Sequence, residues 1–167
     1  MAYETAVAKA AAICSRAEHC EVEIDRKLRQ WGAAPDTTKQ VIDWLVDNNF
    51  IDNARYAHAF VYDKSRFDMW GRIKISHQLR QNGIPNDVIE DAMKEIDGET
   101  YAENFRTLLK AKARTVTTDD HYKARASLMR YAASRGYEHN LASKLINEIT
   151  DCDEDIPETD DEQWTCD

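Results

Sequence analysis

The chain has 167 residues, of which 43% are hydrophobic and 32% are charged, with only five glycines and three prolines. This composition suffices for a core and is typical of an all-α protein. No stretch approaches the ~20 apolar residues that a membrane-spanning helix needs. The alanine-rich N-terminus carries Glu4 and Lys9 and lacks a basic start, unlike a signal peptide, so we expect a cytoplasmic protein without membrane contact.

The net charge of −9 is concentrated at one end of the chain. Residues 150–167 hold nine acids and no lysine or arginine, and the rest of the chain has 22 acids and 22 bases. From Arg106 to Arg135 there are eight bases, opposed only by Asp119 and Asp120. A neutral body with a basic stretch suits local contact with an anionic or mixed surface.

One pattern occurs three times, centred on Gly32, Gly83 and Gly136, which lie 51 and 53 residues apart. Apolar residues recur eight and four residues before each glycine and nine, ten and thirteen residues after it. A fixed period of this length predicts a repeated helical unit. Such units are small, so we expect each to bury its apolar face against its neighbours.

Helical periodicity predicts nine helices, three in each repeat, with no strand. The predicted ranges are 3–16, 20–31, 36–48, 52–67, 70–82, 86–96, 99–115, 119–135 and 138–150. They divide the chain into repeats at 3–48, 52–96 and 99–150, followed by residues 151–167, here called the acidic tail, which we predict to be disordered.

The junctions between these helices carry recognisable signals. All five glycines fall at junctions, where a helix end favours a residue that can adopt a positive φ. Asp36, Asp52 and Asp119 are predicted as caps or first-turn acids. Tyr56-Phe60 and Tyr101-Phe105 each share one helix face, which predicts core packing.

Signals of catalysis are weak. The isolated glycines form neither a phosphate loop nor a dinucleotide fingerprint, and the five histidines are scattered. Cys14, His19 and Cys20 lack a recognised zinc spacing, and the four cysteines are expected to be reduced thiols. Asp119-Asp120-His121 fits helix capping better than catalysis. We therefore predict no catalytic residue, no metal and no cofactor.

Basic side chains are the better candidates for function. Arg106, Lys110 and Arg114 recur every four residues and form a stripe on one helix face. The alternative is a set of solvated helix faces that suit the helix dipoles. The candidate partner-binding residues are Arg16, Arg26, Lys27, Arg29, Arg55, Lys64, Arg66, Arg72, Lys74, Arg80, Arg106, Lys110, Lys112, Arg114, Lys123, Arg125, Arg130 and Arg135.

Several segments together resemble the RecX family, the bacterial modulators of the RecA recombinase. They are CSRAEHC with EIDRKLRQWG (14–20 and 23–32), FIDNARYA (50–57) with FV and KSR (60–61 and 64–66), GRIKI with LRQNGI (71–75 and 79–84), and RYAASRGY (130–137). Their order, spacing and number carry the resemblance. Ala17 and Cys20 depart from the residues that the family often has there, and the acidic tail lies outside the resemblance.

The resemblance implies three tandem three-helix units in an elongated, curved, solenoid-like body. It also implies binding to the RecA nucleoprotein filament, by occupying its groove and without catalytic residues, and we expect the protein to be a monomer. There it would modulate, most often inhibit, recombination, ATP hydrolysis and coprotease activity, with roles in DNA repair and the SOS response. The basic stretch leaves an alternative open, a helical module whose main ligand is single- or double-stranded DNA.

Overall fold

A computed structural model of the chain describes residues 1–151, so the acidic tail beyond Asp151, and the prediction of its disorder, lie outside the described part. That part contains nine α-helices and no strand, as predicted, and every helix boundary lies within three residues of its predicted position. The helices are α1 (Tyr3–Cys14), α2 (Glu21–Gln30), α3 (Pro35–Asp47), α4 (Asn53–Arg66), α5 (Arg72–Gln81), α6 (Asn86–Met93), α7 (Gly98–Ala113), α8 (His121–Arg135) and α9 (His139–Asp151).

The helices form three units, α1–α3, α4–α6 and α7–α9, and each unit has a hydrophobic cluster of its own. The expectation that a unit buries its apolar face mainly on its neighbours is therefore wrong. The clusters meet only at their margins: Cys20, from before α2, is buried in the second cluster, and Ile96 packs against both the second and the third. Every helix contributes at least two buried residues to the cluster of its own unit, and in α1 these are only Ala6 and Ala10.

The repeated apolar positions are the core of each unit. The residues eight and four before each glycine are at most 2% exposed, and so are those nine after it; they are Ile24, Leu28, Val41, Ile75, Leu79, Ala92, Leu128, Ala132 and Leu145. Of the aromatic pairs, Tyr56, Tyr101 and Phe105 are buried, and Phe60 is partly buried and packs against the cluster of the second unit. In the third unit Phe105 stacks on Tyr137 with ring centroids 3.7 Å apart.

The glycines serve two different purposes. Gly32, Gly83 and Gly136 have φ of 81°, 78° and 83°, as the pattern predicted. Gly71 does not: it precedes α5 with φ of −74°, and a Cβ there would overlap the carbonyl group of Gly136. Gly98 lies in the first turn of α7. The expectation of a positive φ is thus wrong for these two.

Helix caps are partly as predicted. The Asp52 carboxylate accepts a hydrogen bond of 2.8 Å from the Arg55 amide at the start of α4, and Asp36 lies in the first turn of α3. Asp120, not Asp119, caps α8, where it accepts bonds from two backbone amides. No helix in the described part is long and apolar enough to cross a membrane.

Candidate partner-binding surface

The first joint, between the first and second units, is made by side chains. Tyr56 in α4 donates a hydrogen bond of 2.8 Å to the carboxylate of Glu23 in α2 and accepts one of 2.8 Å from the buried amide of Asn82. Burial raises the pKa of the Tyr56 phenol, and its hydrogen bond to Glu23 raises it further. Outside this buried contact, Arg55 Nε lies 3.0 Å from Glu18 Oε1.

The second joint, between the second and third units, is made by backbone groups. The amide of Gly71 donates to the carbonyl of Arg135 at 2.7 Å, and that of Ile73 donates to the carbonyl of Gly136 at 3.0 Å. The C-terminal end of α8 therefore caps the N-terminal end of α5. The last carbonyls of α8 and the first amides of α5 would otherwise lack hydrogen-bond partners within their own helices. The negative end of the α8 dipole also meets the positive end of the α5 dipole.

Side chains reinforce the second joint around Tyr101. Its hydroxyl accepts a hydrogen bond of 2.9 Å from the Arg72 amide and donates one of 2.7 Å to Glu138. Burial raises the pKa of this phenol, as does its bond to Glu138. The Arg72 guanidinium lies 4.1 Å from the centre of the Tyr101 ring and 3.3 Å from the Glu138 carboxylate.

The segment before α5 completes this joint. Met69 has φ of 49° and turns the chain so that its carbonyl accepts bonds from Tyr137 at 3.0 Å and Arg135 at 3.3 Å. Arg135 also donates to the carbonyl of Asp68. Three candidate cations, Arg55, Arg72 and Arg135, are thus positioned at joints between units, which no sequence pattern indicated.

Other candidates lie over aromatic rings. Lys64 and Lys74 approach the Trp70 ring, with Nζ at 4.8 Å and 4.2 Å from its centre, and Lys64 also lies 2.5 Å from Asp68. Arg66 stacks over Tyr62 at 4.6 Å, and Lys112 lies 5.6 Å from the centre of Tyr131. These contacts hold the cations at the surface without neutralising most of them.

A third set has polar partners within its own unit. Arg106 lies between Glu103 at 2.6 Å and Glu148 at 3.2 Å, so the predicted basic stripe of α7 is neutralised at its first position. The bonds to Glu148 and Glu103 raise the pKa of Arg106. The other pairs are Arg29 with Asp25, Arg80 with Asn86, Lys123 with Asp120, and Arg125 with Ser143 and Asn147.

The remaining candidates have no carboxylate, amide or aromatic partner within residues 1–151. All are exposed except Lys27, which is half-buried; they are Arg16, Arg26, Lys27, Lys110, Arg114 and Arg130. They lie in the first and third units, and the second unit's candidates are all partnered. These cations are therefore the ones most available to an anionic partner.

Exposed apolar side chains are a second surface feature, which the sequence did not reveal. Phe67 is 73% exposed at the end of α4, Ile73 is 55% exposed on α5, and Tyr122 is 87% exposed on α8. Phe67 meets Tyr62 edge to face, with centroids 6.2 Å apart, beside the stacked Arg66.

The described residues contain no cluster of three or more histidine, cysteine or acidic side chains suited to a metal ion. Cys14 and Cys20 are free thiols. Burial raises the pKa of both, which disfavours the thiolate that a metal requires. His19 Nδ1 lies 2.7 Å from Glu23.

Comparison with known families agrees with this architecture. Residues 6–45 match the model of the first three-helix domain of RecX, and residues 52–93 match that of its second three-helix domain. A regulatory protein RecX from Pseudomonas savastanoi is 32% identical over 136 residues, which cover 81% of this chain and 85% of the relative. The chain belongs to the RecX family.

Other members of the RecX family extend the comparison. The regulatory protein RecX of Clostridium botulinum (strain Eklund 17B) is 34% identical over 130 residues; the match covers 77% of this chain but only 60% of that relative. The crystal structure of RecX from Lactobacillus salivarius superposes with a TM-score of 0.71 at 20% identity, covering 89% of this chain and 96% of that one. At this identity the likeness establishes the shared fold.

Proposed function

We propose that this chain binds the RecA–DNA nucleoprotein filament and modulates, chiefly by inhibition, its recombinase, ATPase and coprotease activities. Membership of the RecX family carries this proposal, because its curated relatives are named regulatory proteins and the family resemblance implies RecA as the target. The action is non-catalytic: the chain occupies the filament groove and obstructs incoming duplex or coprotease substrate. We further propose that the chain is a monomer and that it acts in the cytoplasm, where RecA acts.

The arrangement of the units supports a role on an extended partner. Each unit has its own hydrophobic cluster, and successive units are joined end to end by hydrogen bonds. The unpartnered cations lie in the first and third units, far apart along the chain. A surface with contacts at both ends suits a polymer that repeats its binding sites, because two weak contacts on one polymer reinforce each other.

The test is single-stranded-DNA-dependent ATP hydrolysis by RecA from the same organism, titrated with this protein. We expect inhibition at well below one molecule per RecA. We also expect Arg26→Glu with Arg130→Glu to weaken inhibition, since both side chains are exposed and unpartnered. Lys39→Glu with Lys94→Glu, which changes the net charge equally at exposed sites outside the candidate set, should retain it. Unchanged ATPase and strand exchange at saturation would contradict the proposal.

The unpartnered cations also favour a second candidate, a helical module whose main ligand is DNA. This alternative predicts tight binding to naked DNA with a steep salt dependence, because each neutralised phosphate releases a counterion. The balance of 22 acids and 22 bases outside residues 150–167 argues against it. Salt-sensitive binding to naked DNA with no effect on RecA would select this alternative.

A further inference from the structure

The end of α9 lies beside the basic end of α7. A cavity of about 270 Å³ in the third unit is lined by the last residue of α7 and residues that follow it, by the first half of α8, and by Ile149 and Thr150 at the end of α9. Its lining includes the apolar side chains of Ala113, Val116, Ala124, Leu128 and Ile149. The acidic tail therefore begins at the rim of a partly apolar cavity.

Unpartnered positive charge lies at the end of α7, whose last residue, Ala113, lines the cavity. Lys110 and Arg114, the residue that follows α7, are four residues apart, are exposed and have no carboxylate partner within residues 1–151. Lys112, between them in sequence, is directed to the ring of Tyr131. Asp119 and Asp120 are the nearby acids in the chain, and Asp120 is engaged in capping α8. The end of α7 thus keeps a net positive charge.

The acidic tail has the complementary composition. It carries nine acids and no base, and Ile156 is its first large apolar residue. Ile156 lies six positions after Thr150 in the chain, a span of up to about 20 Å when extended. A tether of this length gives the tail a local concentration on the order of millimolar at the adjoining surface. At physiological salt, charges closer than about 8 Å are only weakly screened, so carboxylates close to unpaired cations would keep most of their electrostatic attraction.

We propose that the acidic tail binds within the same molecule to the surface formed by the ends of α7 and α9 and the start of α8. Its carboxylates contact Lys110 and Arg114, and Ile156 occupies the cavity. The tail thereby covers cations of the candidate partner-binding surface and competes with an anionic ligand. The docking does not rest on the proposed function; only the consequence for RecA does.

The primary test compares amide NMR spectra of the full chain and of a chain that ends at Asp151. We expect shift differences at the end of α7, the start of α8 and the end of α9, independent of protein concentration and lost at 1 M salt. Differences confined to the last residues of α9 would overturn the proposal. Differences that grow with concentration would also overturn it, because they would indicate the tail of a second copy.

Three variants of the full chain make the test specific. Lys110→Glu with Arg114→Glu should abolish the shift differences, and Lys39→Glu with Lys94→Glu, with the same change in net charge, should preserve them. Replacing every acid after Asp151 by its amide should act like truncation without shortening the chain. Retention of the differences in the amide variant would contradict the role of the carboxylates.

Competition is measured with a single-stranded oligothymidylate as the probe. At low salt the chain that ends at Asp151 should bind it more tightly than the full chain, on the order of threefold or more. Equal affinities would overturn the masking of cations by the tail. Because neither experiment contains RecA, a failure of the RecA titration leaves docking intact, and absence of docking leaves the RecA titration unaffected.

Discussion

The two joints both hold successive units together, but different chemical groups make them. In both, a tyrosine near the start of one unit's first helix bonds to the first turn of the preceding unit's middle helix. At the first joint, side chains of Tyr56, Glu23 and Asn82 make the contact. At the second, backbone groups of α5 and α8 bond directly, and Tyr101 adds to them. Because backbone contact leaves less freedom than side-chain contact, we expect the second joint to be the stiffer one.

The largest effect is expected from a side chain placed between the backbones of the second joint. A Cβ on Gly136 would overlap Lys74, and Gly136 has φ of 83°. Gly136→Ala should therefore lower the free energy of unfolding by about 3 kcal/mol, from overpacking and left-handed strain together. Urea denaturation of the variant and of the original chain measures this loss of stability.

Gly32→Ala is the matched control for this substitution. Gly32 has φ of 81°, but a Cβ there would meet no atom within 4 Å. Only the backbone strain remains, so the loss should be about 1 kcal/mol. If both variants lost the same stability, close approach at the second joint would have no energetic weight.

Removal of one hydroxyl tests each joint separately. Tyr56→Phe leaves the buried Asn82 amide without its phenol acceptor, and Tyr101→Phe removes the acceptor of the Arg72 amide. Each should cost about 2 kcal/mol, because a buried group loses its partner. Amide hydrogen exchange should then quicken at the first joint in Tyr56→Phe, while Gly71 and Ile73 stay protected in Tyr101→Phe by their bonds to α8.

Alkaline pH weakens both joints. The pKa of Tyr56 and of Tyr101 is raised in the folded chain, chiefly by burial, above about 10 in the unfolded chain. The folded state therefore binds more protons above pH 10, and this contribution to stability, complete below pH 10, is lost as the pH rises further. Above pH 10, each phenol lowers the free energy of unfolding by up to about 1.4 kcal/mol for each further pH unit.

The measurement is the unfolding free energy at pH 9 and at about pH 11. The double variant Tyr56→Phe, Tyr101→Phe should lose less stability over this interval than the original chain. Tyr137, whose pKa burial raises to about 12, remains in both and supplies a residual slope. Identical slopes would show that the two phenols ionise as they do in the unfolded chain.

Sequence periodicity predicted the helices and their cores because burial of Ile24, Ile75 or Leu128 is decided within one unit. It did not predict the joints, since Arg72 bonds to Glu138 and Arg135 to Asp68, each more than sixty residues away in the chain. Candidate cations were chosen by charge alone. Which of them stay unpartnered depends on where neighbouring helices place carboxylates and rings, as Arg106 between two glutamates illustrates.

The smallest effect is expected at the surface of the first joint. Arg55 and Glu18 are 45% and 31% exposed, so Arg55→Ala should cost no more than about 0.5 kcal/mol. Arg72→Ala removes both an ion pair and a ring contact at the second joint and should cost about 1 kcal/mol. Denaturation in low and in high salt separates the ion-pair contribution from that of the ring contact, because salt screens the ion pairs more strongly. A larger loss of stability for Arg55→Ala than for Arg72→Ala would contradict the smaller contribution assigned to the surface of the first joint.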